Sequence, residues 1–169
     1  EVKMEAFKLI EEFLIPDFGF SNKDIKINFS GNRGYHIIIS SESVLGLDES
    51  SRSAISDYVT GHGLKPESFF PTIADKTARL QGPKPNDPGW GGKMARAIVT
   101  ALNAGVPSLE ALGISKPMAR KMYLNKASIV MGITTGNWDK VSIPKKDEFW
   151  RNVSESMTIK QSDSIDSNV

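Results

Sequence analysis

The sequence of 169 residues contains no cysteine and only two histidines, and its 21 basic and 20 acidic side chains nearly cancel, to a formal net charge of +1. Without cysteine, disulfides and thiolate metal sites are excluded within this stretch. Without a charge excess, bulk electrostatics points neither to nucleic acid nor to an anionic membrane, so any binding of phosphate has to rest on a local cluster. No apolar run reaches the roughly 20 residues that span a bilayer, and no segment is built like a secretory signal, so an intracellular protein is expected. What is present is ordinary for a folded domain: 39% hydrophobic and 24% charged residues, in a chain long enough for one sizeable core.

The most informative stretch is Ile25 to Ser40, I-K-I-N-F-S-G-N-R-G-Y-H-I-I-I-S. Ile25, Ile27 and Phe29 alternate with Lys26, Asn28 and Ser30, which predicts a strand with one core face and one polar face. Ser-Gly-Asn-Arg-Gly then reads as a tight turn. Tyr35 to Ile39 is apolar almost throughout, which predicts a central strand covered on both sides and leaves His36 needing a reason to be there. If the strands fold back on one another, Ser30, Arg33 and His36 can converge. A hydroxyl, a guanidinium and an imidazole suit the oxygens of a phosphate, with glycines letting the backbone come close. Each residue also has a plainer role: Gly31 and Gly34 as hairpin glycines, Arg33 as a solvated loop tip, His36 as a satisfied core histidine.

Around this hairpin the pattern is mostly helical. Val2, Ala6, Leu9, Ile10, Phe13 and Leu14 recur at helical spacing up to Pro16, and the aromatics of Asp17-Phe18-Gly19-Phe20-Ser21 are expected to pad this helix against the sheet. Asp48 is a good cap for a helix to about Thr60 burying Ala54, Ile55, Tyr58 and Val59, closed by Gly61 and Gly63, with His62 a loop residue. Pro71 to Gly92 reads as an irregular connection whose Trp90 anchors in the core, followed by a helix from Lys93 to Leu102. Ser108 is expected to cap a short turn, Ser115 and Pro117 to open a helix through about Lys126, Ala127 to Ile133 to continue apolar, and Asp147 to start a last helix carrying Phe149, Trp150, Val153 and Met157. Lys116, Arg120, Lys121, Lys126, Lys145 and Lys146 could line a nucleic-acid path, but their spacing among apolar residues favours a solvated face.

At Ser30-Gly31-Asn32-Arg33-Gly34-Tyr35-His36 the chain resembles the archaeal and eukaryotic primase superfamily, whose second motif is a strand, S-G-x-R-G-x-H, and a strand. Similar motifs occur in primase-like domains of bacterial end-joining ligases and plasmid replication proteins. The neighbouring runs K-L-I-E-E-F-L-I-P-D-F-G-F-S, L-D-E-S-S-R-S-A-I-S-D-Y-V-T-G-H-G-L and G-W-G-G-K-M-A-R are similar to the same regions of archaeal primase catalytic subunits. Asn32 departs from the basic residue often found there.

The resemblance implies an α/β (α+β) fold, a mixed β-sheet core with flanking helices and an inserted all-helical subdomain. It places part of the catalytic core in residues 1–104, the helical subdomain in 105–160, and the start of a strand carrying a third-motif aspartate in 161–169. It implies nucleotide contacts from Ser30, Arg33 and His36, and makes Asp166 a metal ligand and catalytic carboxylate. It further implies two ions of Mg²⁺ or Mn²⁺, nucleoside triphosphates and a single-stranded DNA template as substrates, and a primase large subunit as partner, with no membrane. The family's paired D-x-D aspartates and zinc element are not in this sequence, so a fragment truncated at both ends, inactive alone, is expected. The expected location is the cytoplasm for an archaeal-type protein, or the nucleus for a eukaryotic one. Two alternatives are a primase-polymerase of a repair or plasmid system and a non-catalytic module that binds nucleotide or nucleic acid.

Overall fold

The sequence opens on a helix that ends where Pro16 can no longer donate a backbone hydrogen bond. In the computed structural model, which describes residues 2–31, 34–70, 80–139, 141 and 147–159, helix α1 (Val2–Leu9) continues as a π-helical turn over Ile10–Leu14. The wider turn closes with Ile15 N–H donating to the Ile10 carbonyl at 3.1 Å, and it buries Ile10, Phe13 and Leu14. The chain forms two compact units, Glu1–Leu64 with Thr158–Val169, and Lys65–Met157. The sequence-based division at 104/105 differs from this in assigning the long central helix to the other side.

In the first unit, β1 (Ile25–Phe29) and β2 (Tyr35–Ile39) pair antiparallel, Ile25 opposite Ile39 and Phe29 opposite Tyr35. This is an α+β arrangement, mostly helical, and the sheet among the described residues has two strands. The expected double-sided burial of β2 is not found. Tyr35, Ile37 and Ile39 are half-buried while His36 and Ile38 are exposed, because a strand with one partner and one covering layer buries alternate residues only. His36 is therefore a surface residue and not a core histidine.

Short helix α2 (Glu42–Leu45) leads into α3 (Glu49–Thr60), whose ends follow the sequence closely. Asp48 Oδ1 accepts from Ser51 N–H at 2.8 Å, and Gly61 turns left-handed at φ 69° while His62 N–H reaches the Asp57 carbonyl at 2.8 Å. The buried face of α3 is narrower than expected: Val59 is buried and Ala54 exposed. Its Tyr58 receives the aromatics, with Phe18 5.4 Å and Phe13 6.3 Å from its ring, both edge-on. Phe18 thus packs on α3, and the Tyr58 hydroxyl donates to Asp17 Oδ2 at 3.0 Å. Lys8 Nζ ties the returning chain by donating to the Thr158 carbonyl at 2.6 Å.

The second unit is built on α4 (Gly89–Ala104), which carries buried Trp90, Met94, Ala95, Ile98, Ala101 and Leu102. Trp90 anchors in the core as expected, but the helix starts four residues before Lys93 and so includes Gly91 and Gly92. These glycines serve close approach: a Cβ on Gly91 would lie 3.2 Å from Pro83, and one on Gly92 would run into the Asp87 carbonyl oxygen. Arg96 Nη1 donates to the Pro85 carbonyl at 2.6 Å, clamping the same turn. Around α4 pack α5 (Val106–Ala111), α6 (Lys116–Leu124), α7 (Lys126–Thr135) and α8 (Asp147–Met157), which buries Phe149 and Val153. Ser108 lies inside α5 rather than capping a turn, because Pro107 in the first turn lets the helix start at Val106. The helix expected through Lys126 breaks at Asn125, and Trp138 stands behind α7 with Nε1 donating to the Pro83 carbonyl at 3.0 Å.

Candidate functional site

The turn between β1 and β2 is held by Ser30. Its N–H donates to the Gly34 carbonyl at 2.9 Å, and its Oγ accepts from the Gly34 N–H at 3.0 Å, so one residue closes the hairpin twice. A hydroxyl that accepts once still has its own proton to donate. Gly31 stands at φ 82°, a left-handed value that side chains with a Cβ rarely take, and a Cβ on Gly34 would press on Ser30 Oγ at 3.1 Å. Both glycines of the motif thus have a local reason.

The register decides what else shares this face. His36 stands directly opposite Asn28, and Ser30 follows Asn28 by two residues, so Lys26, Asn28, Ser30 and His36 are placed on one side of the hairpin. Ser30 and His36 are diagonal neighbours, which sheet geometry separates by about 7–8 Å between α-carbons. A ligand group about the size of a phosphate can bridge that distance. All four of these residues are exposed. The alternation of β1 marks Lys26 and Asn28 as polar-face residues without linking them to His36; the register that pairs Asn28 with His36 follows from counting back from the Ser30–Gly34 closure. Arg33 lies outside the described residues, and so does Asp166.

Other carboxylates near the hairpin are occupied locally. Asp24 Oδ2 accepts from Ser21 Oγ at 2.7 Å and Ser21 N–H at 2.9 Å, which holds its carboxyl below the usual range. Asp17 takes the Tyr58 hydroxyl and Asp48 caps α3. Among the described residues no three His, Asp or Glu side chains come together in a way that could hold a metal ion. No described helix is long and apolar enough to cross a membrane.

Fold and turn together define an α+β protein that offers, on one face of a hairpin, a glycine-flanked polar turn with an imidazole beside it, a surface chemically suited to phosphate oxygens. The sequence profile of the DNA primase small subunit family matches residues 2–169, and the chain belongs to that family. It is 38% identical over 156 residues to the DNA primase small subunit PriS of Methanothrix thermoacetophila, a match covering 82% of this chain and 39% of that protein. Similar proteins of the same name are found in Thermoplasma volcanium, 39% identical over 53% of this chain and 25% of the relative, and in Methanosarcina acetivorans, 49% identical over 43% of this chain and 17% of the relative. The chain thus spans well under half the length of these curated relatives. No solved structure matches it.

Proposed function

We propose that this chain is part of the catalytic subunit of a replicative DNA primase and that its hairpin holds the triphosphate of the incoming nucleotide. The observation that carries the reading is the double closure of the turn by Ser30 and Gly34, with His36 diagonal to Ser30 on the same exposed face. Ser30 donates its free hydroxyl proton and His36 a ring N–H to phosphate oxygens, and Arg33 adds the charge-assisted fork that the motif supplies in the family. Asn28, opposite His36, offers an amide donor to the same group. The whole protein would join ribonucleotides, or deoxyribonucleotides, on single-stranded DNA, beside a large subunit and in the cytoplasm of an archaeal cell.

Two ions of Mg²⁺ or Mn²⁺ would neutralise the triphosphate and activate the primer hydroxyl in such an enzyme. The described residues do not by themselves make that site. The ion-binding part of the reading rests on Asp166 and on D-x-D carboxylates that this sequence does not contain, and the structural zinc belongs likewise to parts of the family outside it. A non-catalytic nucleotide-binding module would use the same hairpin, and a repair or plasmid primase-polymerase the same chemistry.

The test is primer synthesis by the full-length protein on a single-stranded template. Arg33→Ala and His36→Ala should each lose a charge-assisted or directional hydrogen bond worth about 1.5–3 kcal/mol, a ten- to hundredfold loss in nucleotide use with folding intact. Normal primer extension by a folded His36→Ala variant at all nucleotide concentrations would overturn the assignment of the hairpin. In the same assay Asp166→Asn should cut synthesis by about a hundredfold or more while leaving single-strand binding nearly unchanged. Asp163→Asn is its control, and equal activity of the two variants would remove Asp166 from the site.

A further inference from the structure

Between Glu110 and Asp139 the sequence holds four cations, Lys116, Arg120, Lys121 and Lys126, and no carboxylate, in a chain whose net charge is only +1. The structure gathers them. On α6, Ala119 and Met122 face inward and are buried, which leaves the opposite arc to Tyr123, Lys116, Arg120, Leu124, Pro117 and Lys121 in angular order. Tyr123 is 38% and Leu124 84% exposed. Lys126, opening α7, holds its ammonium 4.9 Å from the centre of the Tyr123 ring. None of the four cations has a carboxylate partner among the described residues.

We propose that this arc of α6, with Tyr123 and Lys126 at its end, is a docking surface for single-stranded nucleic acid. Alternating charges at i±4 mark a salt-bridged solvated face; this one carries cations, an aromatic ring and an exposed leucine and no acid at all. Cations along a helix neutralise successive phosphates, while the Tyr123 ring, with the Lys126 ammonium beside it, gives an unpaired base a flat apolar surface to stack on. A duplex keeps its bases stacked inside and cannot use the ring. The surface differs from the hairpin face, and only the choice of a DNA template as the bound strand rests on the primase reading.

The experiment titrates a labelled oligodeoxythymidine, and in parallel an oligodeoxyadenosine–oligodeoxythymidine duplex, into the full chain at several salt concentrations. Tyr123→Ala should weaken single-strand binding about 5- to 150-fold, and Tyr123→Phe should stay near the parent. The triple variant Lys116→Gln, Arg120→Gln, Lys121→Gln should reduce the slope of log affinity against log salt by about 2, at roughly 0.7 for each single-strand phosphate that is no longer neutralised. These residues lie opposite the buried face of α6, so far-UV circular dichroism should show the fold unchanged. Single-strand affinity and salt slope equal to the parent in both variants would overturn the proposal. So would duplex binding as tight as single-strand binding, or loss of large-subunit binding while single-strand binding persists, which would make the arc a protein interface. Nucleotide use by His36→Ala in the full-length protein is measured alongside. A failed surface with that loss present leaves the hairpin reading standing, and a failed hairpin with the Tyr123 effect present leaves the surface.

Discussion

In the hairpin, Ile27 and Phe29 keep 46% and 60% of their surface exposed, whereas Ile98 and Leu102 of α4 keep none. Among the described residues the hairpin has two strands, with α1 packed against β2, and a two-stranded ribbon in water is marginal by itself. The second unit encloses α4 among four helices and clamps the turn before it through Arg96 and Trp138. Its stability lies in buried apolar contact. The hairpin instead has its turn fixed by the two Ser30–Gly34 hydrogen bonds and keeps its polar face open. Polar side chains that must meet a ligand belong on the second kind of element, where side-chain burial does not compete with binding.

If this contrast is right, the largest stability effect comes from the helical unit, at a residue with no side chain. Gly92 sits inside α4, where alanine propensity alone would favour Gly92→Ala by about 1 kcal/mol. A Cβ there meets the Asp87 backbone carbonyl, which cannot swing aside as a flexible side chain could. Overpacking should outweigh propensity, for a net loss of about 2 kcal/mol or more in urea unfolding. A variant as stable as the parent would mean that the turn before α4 yields, and that the second unit is not the rigid partner in the comparison.

The same residue shows what the sequence conveys and what it does not. Asp48 and Gly61 mark helix ends by local chemistry, and α3 begins and ends where that chemistry places it, while α8 begins at Asp147 as expected. Gly91 and Gly92 read as loop because glycine is a poor helix former, whereas in the fold they lie in the first turn of α4 and make room for the turn from Pro83 to Asp87 packed against it. The apolar run Tyr35–Ile39 misleads for a related reason, since composition cannot tell a strand covered on both faces from one that buries alternate residues. The hairpin motif is legible in full, and the Ser30–Gly34 closure explains the spacing of its glycines. Its partner Asn28 is legible only through the register, and Arg33 and Asp166 lie beyond what the structure describes.

A middle-sized effect should appear within the first unit. Burial, and then the bond to the Asp17 carboxylate, push the Tyr58 phenol above its ordinary value of 10.0. A raised folded value means that the stabilisation is complete below pH 10 and is lost as pH rises through the folded value. Tyr58→Phe keeps the ring for Phe13 and Phe18 but removes the hydrogen bond, at a cost of about 0.5–1.5 kcal/mol near neutral pH. The variant should also lose part of the parent's decline in stability above pH 10. Thermal unfolding of both proteins between pH 8 and pH 11 checks this, and parallel curves would detach Tyr58 from the stability of this unit.

The smallest effect tests whether the first unit is fixed by local hydrogen bonds even where nothing is buried. Asp48 accepts from Ser51 and from Ser50, and these bonds, Ser51's foremost, hold its carboxyl below the usual value of 3.8. A lowered folded value gives stabilisation that is present above pH 3.8 and lost as pH falls through the folded value, because the ionised carboxylate accepts more strongly than the protonated acid from the two serines that share Oδ1. Asparagine caps helices about as well as aspartate and does not titrate. Asp48→Asn should therefore match the parent in thermal unfolding at pH 7 and diverge below about pH 4, where protonation weakens the parent's cap and leaves the variant's unchanged. Asp48→Ala should lie below both at pH 7. If the asparagine variant is already weaker at neutral pH by as much as the alanine one, the charge of Asp48 acts on the positive end of α3, and the local cap is a matter of electrostatics rather than of the two hydrogen bonds.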